Sequence, residues 1–155
     1  MFYKTQREHV SSDEWDNLLT INLKAPFFLA QAAFPFLAKQ HGSIINVTDI
    51  HAQRPMGDYS AYCISKAGLQ MLTKTLAREF APDVRVNAVS PGQILWPEAE
   101  NTLDDAIKQK IIDRIPLQRQ GTSEEIAKAV LFLIQDATYV TGHDLAVDGG
   151  RLLFG

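Results

Sequence analysis

The stretch SIINVTDIHAQRPMGDYSAYCISKAG, residues 43–68, decides the fold because it sets a strand, a loop and a helix in succession. Its first six residues form a short β-branched run, which is typical of a strand buried in a parallel sheet. The polar loop 49–58 follows, and apolar residues at helical spacing then predict a long helix from Tyr59 to Phe80. The segment therefore predicts one strand–helix unit of an α/β protein.

The residues before this unit predict a first helix. Ser11 and Glu14 have the spacing of a capping box, and an apolar helical pattern continues from there to about Lys39. Pro26 and Pro35 lie inside that pattern, so we expect them to kink or divide the helix.

The residues after residue 80 continue the alternation of strands and helices. The predicted elements are a strand at 84–90 ending at Pro91–Gly92, an irregular stretch at 93–103, helices at 104–115 and 124–135, and a strand with a glycine turn at 144–150. Thr122 or Ser123 caps the last helix. We therefore expect a single domain over residues 1–155, with a parallel sheet covered by helices on both faces.

Composition excludes several classes of protein. The 155 residues are 46% hydrophobic and 21% charged, and the net charge of −3 predicts no nucleic-acid or membrane partner. No uninterrupted apolar run approaches the roughly 20 residues of a membrane span. The single cysteine, Cys63, fits a reducing compartment, so we expect a cytoplasmic protein. His51 and His143 lack partners at metal-ligand spacing, and we predict no metal.

Tyr62 and Lys66 are four residues apart on the predicted helix and share one of its faces. A nearby ammonium favours the phenolate, so Lys66 is expected to lower the pKa of Tyr62 from about 10 and make it a usable acid or base. The pair alone is also compatible with two residues on a solvated helix face.

Three further positions are candidates for the same site. Asp49 follows a predicted strand, and Pro91–Gly92 follows the next one, so both lie at the carboxyl edge of the sheet, where ligands bind in such folds. Asn22 lies mid-helix near Pro26. Taken singly, Asp49 is equally a turn residue, Pro91–Gly92 an ordinary turn, and Asn22 a satisfied polar residue.

Five segments in this order resemble the second half of the short-chain dehydrogenases/reductases: INLKAPFF, SIINVTD, Tyr62-x3-Lys66, NAVSPG and VDGG. The resemblance implies a Rossmann-like doubly wound sheet and a nicotinamide cofactor. It implies that Tyr62 donates a proton, that Lys66 lowers the pKa of Tyr62 and holds the ribose, and that Asn22 anchors a proton-relay water. It also implies that Pro91, Gly92 and Ile94 line the nicotinamide pocket.

Asp49 narrows the resemblance to one subgroup of the family. Most family members carry a serine thirteen residues before the tyrosine, where this chain has Asp49. An aspartate there is characteristic of pteridine reductases, in which Asp, Tyr and Lys form the catalytic set. Phe2-Tyr3 is similar to the end of their NNASSFY stretch, whose phenylalanine stacks on the pterin. The resemblance thus implies NADPH-dependent reduction of a dihydropterin, with Phe2, Asp49 and Tyr62 at the substrate.

The glycine-rich G-x-G-x-x-G loop, which binds the cofactor's pyrophosphate, does not occur in this sequence. The chain therefore resembles only the carboxyl-terminal half of the fold. Two alternatives stay open: a non-catalytic remnant that serves as a dimerisation or interaction module, and a generic short-chain ketone or alcohol oxidoreductase. The resemblance also implies a homodimer or homotetramer through the helices at 12–39 and 59–80, with Phe27, Phe28, Leu69 and Leu72 at the interface.

Overall fold

The computed structural model of the chain describes residues 1–5, 9–96 and 103–153. The α-helices in these ranges are α1 (Ser12–Leu19), α2 (Ala25–Leu37), α3 (Ser60–Phe80), α4 (Asp105–Ile112) and α5 (Ser123–Gln135). The strands in these ranges are β1 (Ser43–Val47), β2 (Arg85–Pro91) and β3 (Asp144–Val147). The predicted elements are confirmed within a few residues at their ends, and the later part of the predicted irregular stretch lies outside the described residues.

The three described strands form one parallel sheet in the order β1-β2-β3. Ser43 pairs with Arg85 at one end of the first ladder, and Pro91 pairs with Val147 at the end of the second. Because the strands are parallel, their carboxyl ends meet at the same edge of the sheet. The loops that follow Val47, Pro91 and Val147 therefore start at one edge.

Helices cover both faces of this sheet, as predicted. Val86 of β2 packs with Leu72 and Leu76 of α3 on one face. Val89, three residues later in the same strand, packs with Leu133 of α5 on the other. Successive strand residues point to opposite faces, so one strand supplies both cores. This is the arrangement of a Rossmann-like α/β fold.

The first helix departs from the prediction at its middle. The helical path from Ser12 to Gln40 includes a π-helical turn, Thr20–Lys24, between α1 and α2. Pro26 lies in the first turn of α2, where a missing N–H costs little. The helix therefore changes geometry immediately before Pro26, whereas α2 continues through Pro35 without division. Sequence patterns located the change but not its π form.

The expected assignment of apolar residues to an interface is partly wrong. Leu69 and Leu72 are buried within the chain's own core, because their side of α3 faces the sheet. Phe27 and Phe28 are exposed, as expected. Further exposed apolar side chains on α2 and α3 are Leu29, Phe36, Ile64 and Met71.

The stretch Ser12–Gln40 is long and apolar enough, by length and composition, to cross a membrane. Only 11% of its most apolar window is buried within the described part of the chain. The prediction that no apolar run approaches the length of a membrane span considered uninterrupted runs, whereas this helix is apolar as an average over an 18-residue window. Core helices of soluble proteins have a similar composition. The finding therefore identifies an apolar surface that the chain itself leaves uncovered, and it does not show whether lipid or protein covers it.

Candidate active site

Asp49 is placed at the carboxyl edge of the sheet by β1, which ends two residues earlier. It caps a short 3₁₀ helix, Ile50–Ala52, and its Oδ1 accepts a hydrogen bond from the backbone N–H of His51 at 2.8 Å. This contact is the turn role considered for Asp49. Its second oxygen, Oδ2, is left to point at α3.

That second oxygen accepts the hydroxyl proton of Tyr62. The Tyr62 Oη to Asp49 Oδ2 distance is 2.5 Å, which is within the range of charge-assisted O–H···O⁻ bonds. Tyr62 lies in the first turns of α3 and is 4% exposed. The structure therefore brings together a phenol from the helix and a carboxylate from the strand end, as the sequence predicted.

The expected pKa change of Tyr62 is wrong in direction. Burial raises the pKa of Tyr62 well above its ordinary value, and the negative charge of Asp49 and the hydrogen bond to it raise it further. Burial disfavours the phenolate by removing water, and the charge of Asp49 disfavours it by like-charge repulsion. The hydrogen bond adds to this because it stabilises the protonated phenol. Tyr62 therefore holds its proton at neutral pH, and this proton lies in the hydrogen bond to Asp49.

Lys66 does not offset this effect because its ammonium is directed elsewhere. Its Nζ donates a hydrogen bond to the backbone oxygen of Val47 at 2.9 Å and lies 5.9 Å from the centroid of the Tyr62 ring. Burial lowers the pKa of Lys66, and the charge of Asp49 opposes that change. Lys66 thus fastens α3 to β1 and places a cation over the phenol ring rather than beside its oxygen.

Asn22 lies in the π turn, a feature that is frequent at functional sites. Its side chain is buried, and its Nδ2 donates to Ser65 Oγ and to the backbone oxygen of Met1, both at 3.0 Å. Its Oδ1 accepts from the amino group of Met1 at 2.8 Å. Ser65 in turn donates to the backbone oxygen of Tyr62 at 2.7 Å. Asn22 is therefore linked to the backbone of Tyr62 through Ser65. Its hydrogen bonds go to Met1 and Ser65 rather than to Lys66.

Phe2 lies against the helix that carries Tyr62. Its ring stacks on Tyr59 with a centroid distance of 4.8 Å and an interplanar angle of 15°. It meets the Tyr62 ring edge-on at 4.8 Å and 80°. The backbone of Thr5 holds this segment in place by donating to the carbonyl of Asp58 at 2.7 Å. Tyr59, the residue before α3, was not among the predicted site residues, although it is an aromatic residue only three positions before Tyr62.

Pro91, Gly92 and Ile94 lie at the same sheet edge, beside the end of β3. A side chain at Gly92 would place Cβ 2.7 Å from Asp148 Cα, so the close packing of two loops requires this glycine. Ile94 lines a cleft of about 430 Å³ together with Val147, Asp148 and the glycine turn that follows. Neither Asp49 nor Tyr62 lines that cleft. The predicted residues therefore form two groups, one around Asp49 and Tyr62 and one at the ends of β2 and β3 around Ile94.

A sequence profile described as Enoyl-(Acyl carrier protein) reductase matches residues 3–151. The chain belongs to the short-chain dehydrogenase/reductase family. It is 43% identical to Protein FixR of Bradyrhizobium diazoefficiens over 151 residues, which cover 92% of this chain and 51% of that protein. It is 39% identical over 147 residues to the 3-oxoacyl-[acyl-carrier-protein] reductase FabG of Thermotoga maritima, covering 93% of this chain and 59% of FabG.

Solved structures agree with this assignment. A candidate 2-deoxy-d-gluconate 3-dehydrogenase from Agrobacterium tumefaciens, with bound NADP, superposes with a TM-score of 0.89 at 36% identity. The match covers 99% of this chain and 64% of that structure. The chain thus spans between one half and two thirds of the length of these family members, and it has the Rossmann-like fold of the family.

The residues present fit one end of a nicotinamide dinucleotide. Lys66 has three N–H donors, and its bond to Val47 leaves others for ribose hydroxyls. Ile94 lines the cleft at this sheet edge, and Gly92, which follows Pro91 at the end of β2, packs closely against Asp148 beside it. The pyrophosphate end has no counterpart, because the sequence contains no G-x-G-x-x-G loop. The cofactor that family members use would supply a hydride, and this chain would hold its nicotinamide end.

The dominance of Asp49 over Lys66 at Tyr62 is testable by alkaline titration. We expect Asp49→Asn to lower the pKa of Tyr62, because it removes a negative charge and leaves the burial unchanged. Ultraviolet difference absorbance between each protein and its Tyr62→Phe counterpart isolates this phenol from the other tyrosines. Asp83→Asn, an exposed carboxylate before β2, is the matched control. An unchanged Tyr62 titration in Asp49→Asn would show that burial alone raises the pKa.

Proposed function

We propose that this chain carries the proton-donating part of an NADPH-dependent pteridine reductase, which reduces a C=N bond of a dihydropterin. The observation that supports it is the 2.5 Å hydrogen bond from Tyr62 to Asp49. A serine at this position would offer a neutral hydroxyl instead of a carboxylate. The reaction adds hydride to a ring carbon and a proton to the neighbouring ring nitrogen.

The phenol and carboxylate suit the second of these additions. Tyr62 holds its proton at neutral pH and directs it at Asp49, so donation to the substrate nitrogen requires this proton to be replaced. Donation by Tyr62 alone would leave two negative charges about one hydrogen bond apart, which is unfavourable. Asp49 can relieve this repulsion by taking up a proton from water and passing it to the phenol as the phenol donates to the substrate. A carboxylate can also accept hydrogen bonds from the N–H groups of a pterin.

The aromatic residues support a flat substrate. Phe2 and Tyr59 stack in parallel beside Tyr62, and Phe2 is half-exposed. A pterin ring placed against Phe2 would lie within reach of the Asp49–Tyr62 pair. In this proposal Phe2, Asp49 and Tyr62 contact the substrate, while Lys66 and the edge at Pro91, Gly92 and Ile94 hold the cofactor.

A generic ketone or alcohol oxidoreductase is the second candidate. It is favoured by the names of the relatives, which include a 3-oxoacyl reductase, a glucose 1-dehydrogenase and an L-xylulose reductase. Such a reaction needs only a phenol donor and a neutral hydroxyl to polarise the carbonyl. In this candidate the carboxylate of Asp49 has no part in the reaction and serves only as the cap of the 3₁₀ helix Ile50–Ala52.

Steady-state kinetics of Asp49→Ser separate these two candidates. The measurement requires the chain extended by a family amino-terminal half that supplies the pyrophosphate loop. We expect dihydropterin reduction to fall by about 10²- to 10⁴-fold, the usual effect of losing one general-acid partner. Tyr62→Phe should fail on every substrate. NADPH binding should survive Asp49→Ser, because Asp49 is not among the proposed cofactor contacts.

Asp83→Ser provides the matched control, since it makes the same chemical change at an exposed site. If Asp49→Ser kept most of its pterin activity while Asp83→Ser behaved as wild type, the carboxylate would have no catalytic role. The protein would then be a generic member of the family.

We also propose that the exposed apolar surface of α2 and α3 joins two copies of the chain. Phe28 and Phe36 are 54% and 71% exposed on α2, and Ile64 and Met71 are 49% and 61% exposed on α3. Large uncovered apolar surface of this kind marks an interface in soluble proteins. The same surface would carry a non-catalytic interaction module, which is the third candidate for this chain.

Sedimentation equilibrium tests this assembly. We expect a dimer or larger species for the unmodified chain and a shift toward monomer for Met71→Glu, because the substitution places a charge in the apolar contact. Ile107→Glu adds the same charge at an exposed apolar residue of a different helix, α4, and should leave the assembly intact. A soluble, folded monomer at high concentration would contradict the proposal.

A further inference from the structure

The carboxylate of Asp144, the first residue of β3, lies among three polar side chains on the α3 side of the sheet. It accepts a hydrogen bond from Ser90 Oγ at 2.7 Å and one from Gln70 Nε2 at 2.8 Å. Thr48 Oγ1 lies 3.1 Å from both of its oxygens. Thr48 follows β1, Ser90 lies in β2 and Gln70 lies in α3, so side chains from three parts of the fold meet at the Asp144 carboxylate.

The two hydroxyl groups of this network are buried. Thr48 is 2% exposed and Ser90 is 0% exposed, and their oxygens are 2.7 Å apart. Each hydroxyl has one proton to donate, and buried hydroxyl groups need a partner. Thr48 Oγ1 also lies 3.0 Å from the carbonyl oxygen of Val89, but a carboxylate is the stronger acceptor, so Asp144 is the favoured partner of both hydroxyls and of the Gln70 amide.

These contacts join the two elements that carry the catalytic pair. Thr48 immediately precedes Asp49, and its backbone N–H is held by the carbonyl of Val89 at 2.9 Å. Gln70 follows Tyr62 by eight residues on the same side of α3, which it shares with Lys66. Asp144 therefore bonds to the strand end that presents Asp49 and to the helix that presents Tyr62.

We propose that Asp144 is a positioning residue that holds Asp49 and Tyr62 at hydrogen-bonding distance. It acts through Thr48 on one side and through Gln70 on the other, and it does not touch the substrate. The 2.5 Å contact between Tyr62 and Asp49 demands close alignment of two separate elements. A displacement of about 1 Å at a reacting group can cost about 10²-fold in rate, so a fixed scaffold at this point has a large effect.

An optical test uses the 155-residue chain and does not depend on catalysis. We expect Asp144→Ala to lower the pKa of Tyr62 in the same direction as Asp49→Asn, because the carboxylate of Asp49 moves away from the phenol. Asp144→Asn keeps an acceptor oxygen and should restore most of the wild-type titration. Asp136→Ala, an exposed carboxylate at the end of α5, is the control and should change nothing.

The result that would overturn the proposal is a folded Asp144→Ala variant in which Tyr62 titrates as in the wild type. Asp144 would then serve only to satisfy buried hydroxyls, and its loss would lower stability alone. If circular dichroism shows that Asp144→Ala does not fold, Gln70→Met replaces it, because this substitution removes the hydrogen bond between Asp144 and α3. The Tyr62 titration is then measured in Gln70→Met, and the same lowering of its pKa is expected. A wild-type titration in folded Gln70→Met would likewise overturn the proposal.

A kinetic test rests on the proposed function and uses the extended chain. We expect Asp144→Ala to lower kcat for dihydropterin by about 10- to 10²-fold with a smaller change in KM, and Asp144→Asn to recover most of kcat. Equal losses in Asp144→Ala and Asp144→Asn would contradict positioning by hydrogen bonds. Absence of pterin activity in the unmodified extended chain would refute the proposed function, and the optical test would still decide the role of Asp144.

Discussion

The hydrogen bond from the Tyr62 hydroxyl to the Asp49 carboxylate is the interaction on which the rest of the site depends. It crosses from helix α3 to the end of strand β1, so it requires both elements to be fixed relative to each other. Lys66 supports it by bonding to the carbonyl of Val47, and Thr73 bonds to Asn46 at 2.9 Å further along the same helix. These contacts, together with those of Asp144, hold the α3 face on the sheet.

The same bond sets the chemistry of the site. A phenol that is buried and beside a carboxylate keeps its proton, whereas a phenol beside a free ammonium would lose it more readily. In the proposed reaction this proton is the one delivered to the substrate. The names of relatives, a 3-oxoacyl reductase and a glucose 1-dehydrogenase among them, support the proposed class of reaction, and Asp49 stands where most members of the family have a serine. The substrate proposal follows from that departure.

Local patterns in the sequence were sufficient for the strand–helix order and for bringing Asp49 and Tyr62 together. The β-branched run at 43–48 and the apolar spacing of α3 each give a strong signal within a short window. Spacing on a helix predicts nearness but not direction, and so the prediction that Lys66 would lower the pKa of Tyr62 failed. The Lys66 ammonium turns to a strand carbonyl that no local pattern reveals. Leu69 and Leu72 were assigned to the wrong surface for a related reason, since the sheet covers that side of α3.

The network at Asp144 could not have been predicted from the sequence at all. Its members are far apart in the chain and meet only because the three strands have a particular register. The π turn at Asn22 could not be predicted for the same reason. The hydrogen bond from Asn22 to Ser65 depends on how this turn packs on α3 rather than on composition. In both cases tertiary structure determines the geometry that local propensity leaves open.

A double-mutant cycle between Asp49 and Tyr62 tests the central claim most directly. Urea unfolding of the wild type, Asp49→Asn, Tyr62→Phe and the double variant gives the coupling between the two side chains without assuming any activity. Hydrogen bonds to charged groups contribute about 1.5–3 kcal/mol, and the account predicts a coupling energy of that order. Additive effects, equal within about 0.5 kcal/mol, would show that the phenol and the carboxylate do not interact and would contradict the account.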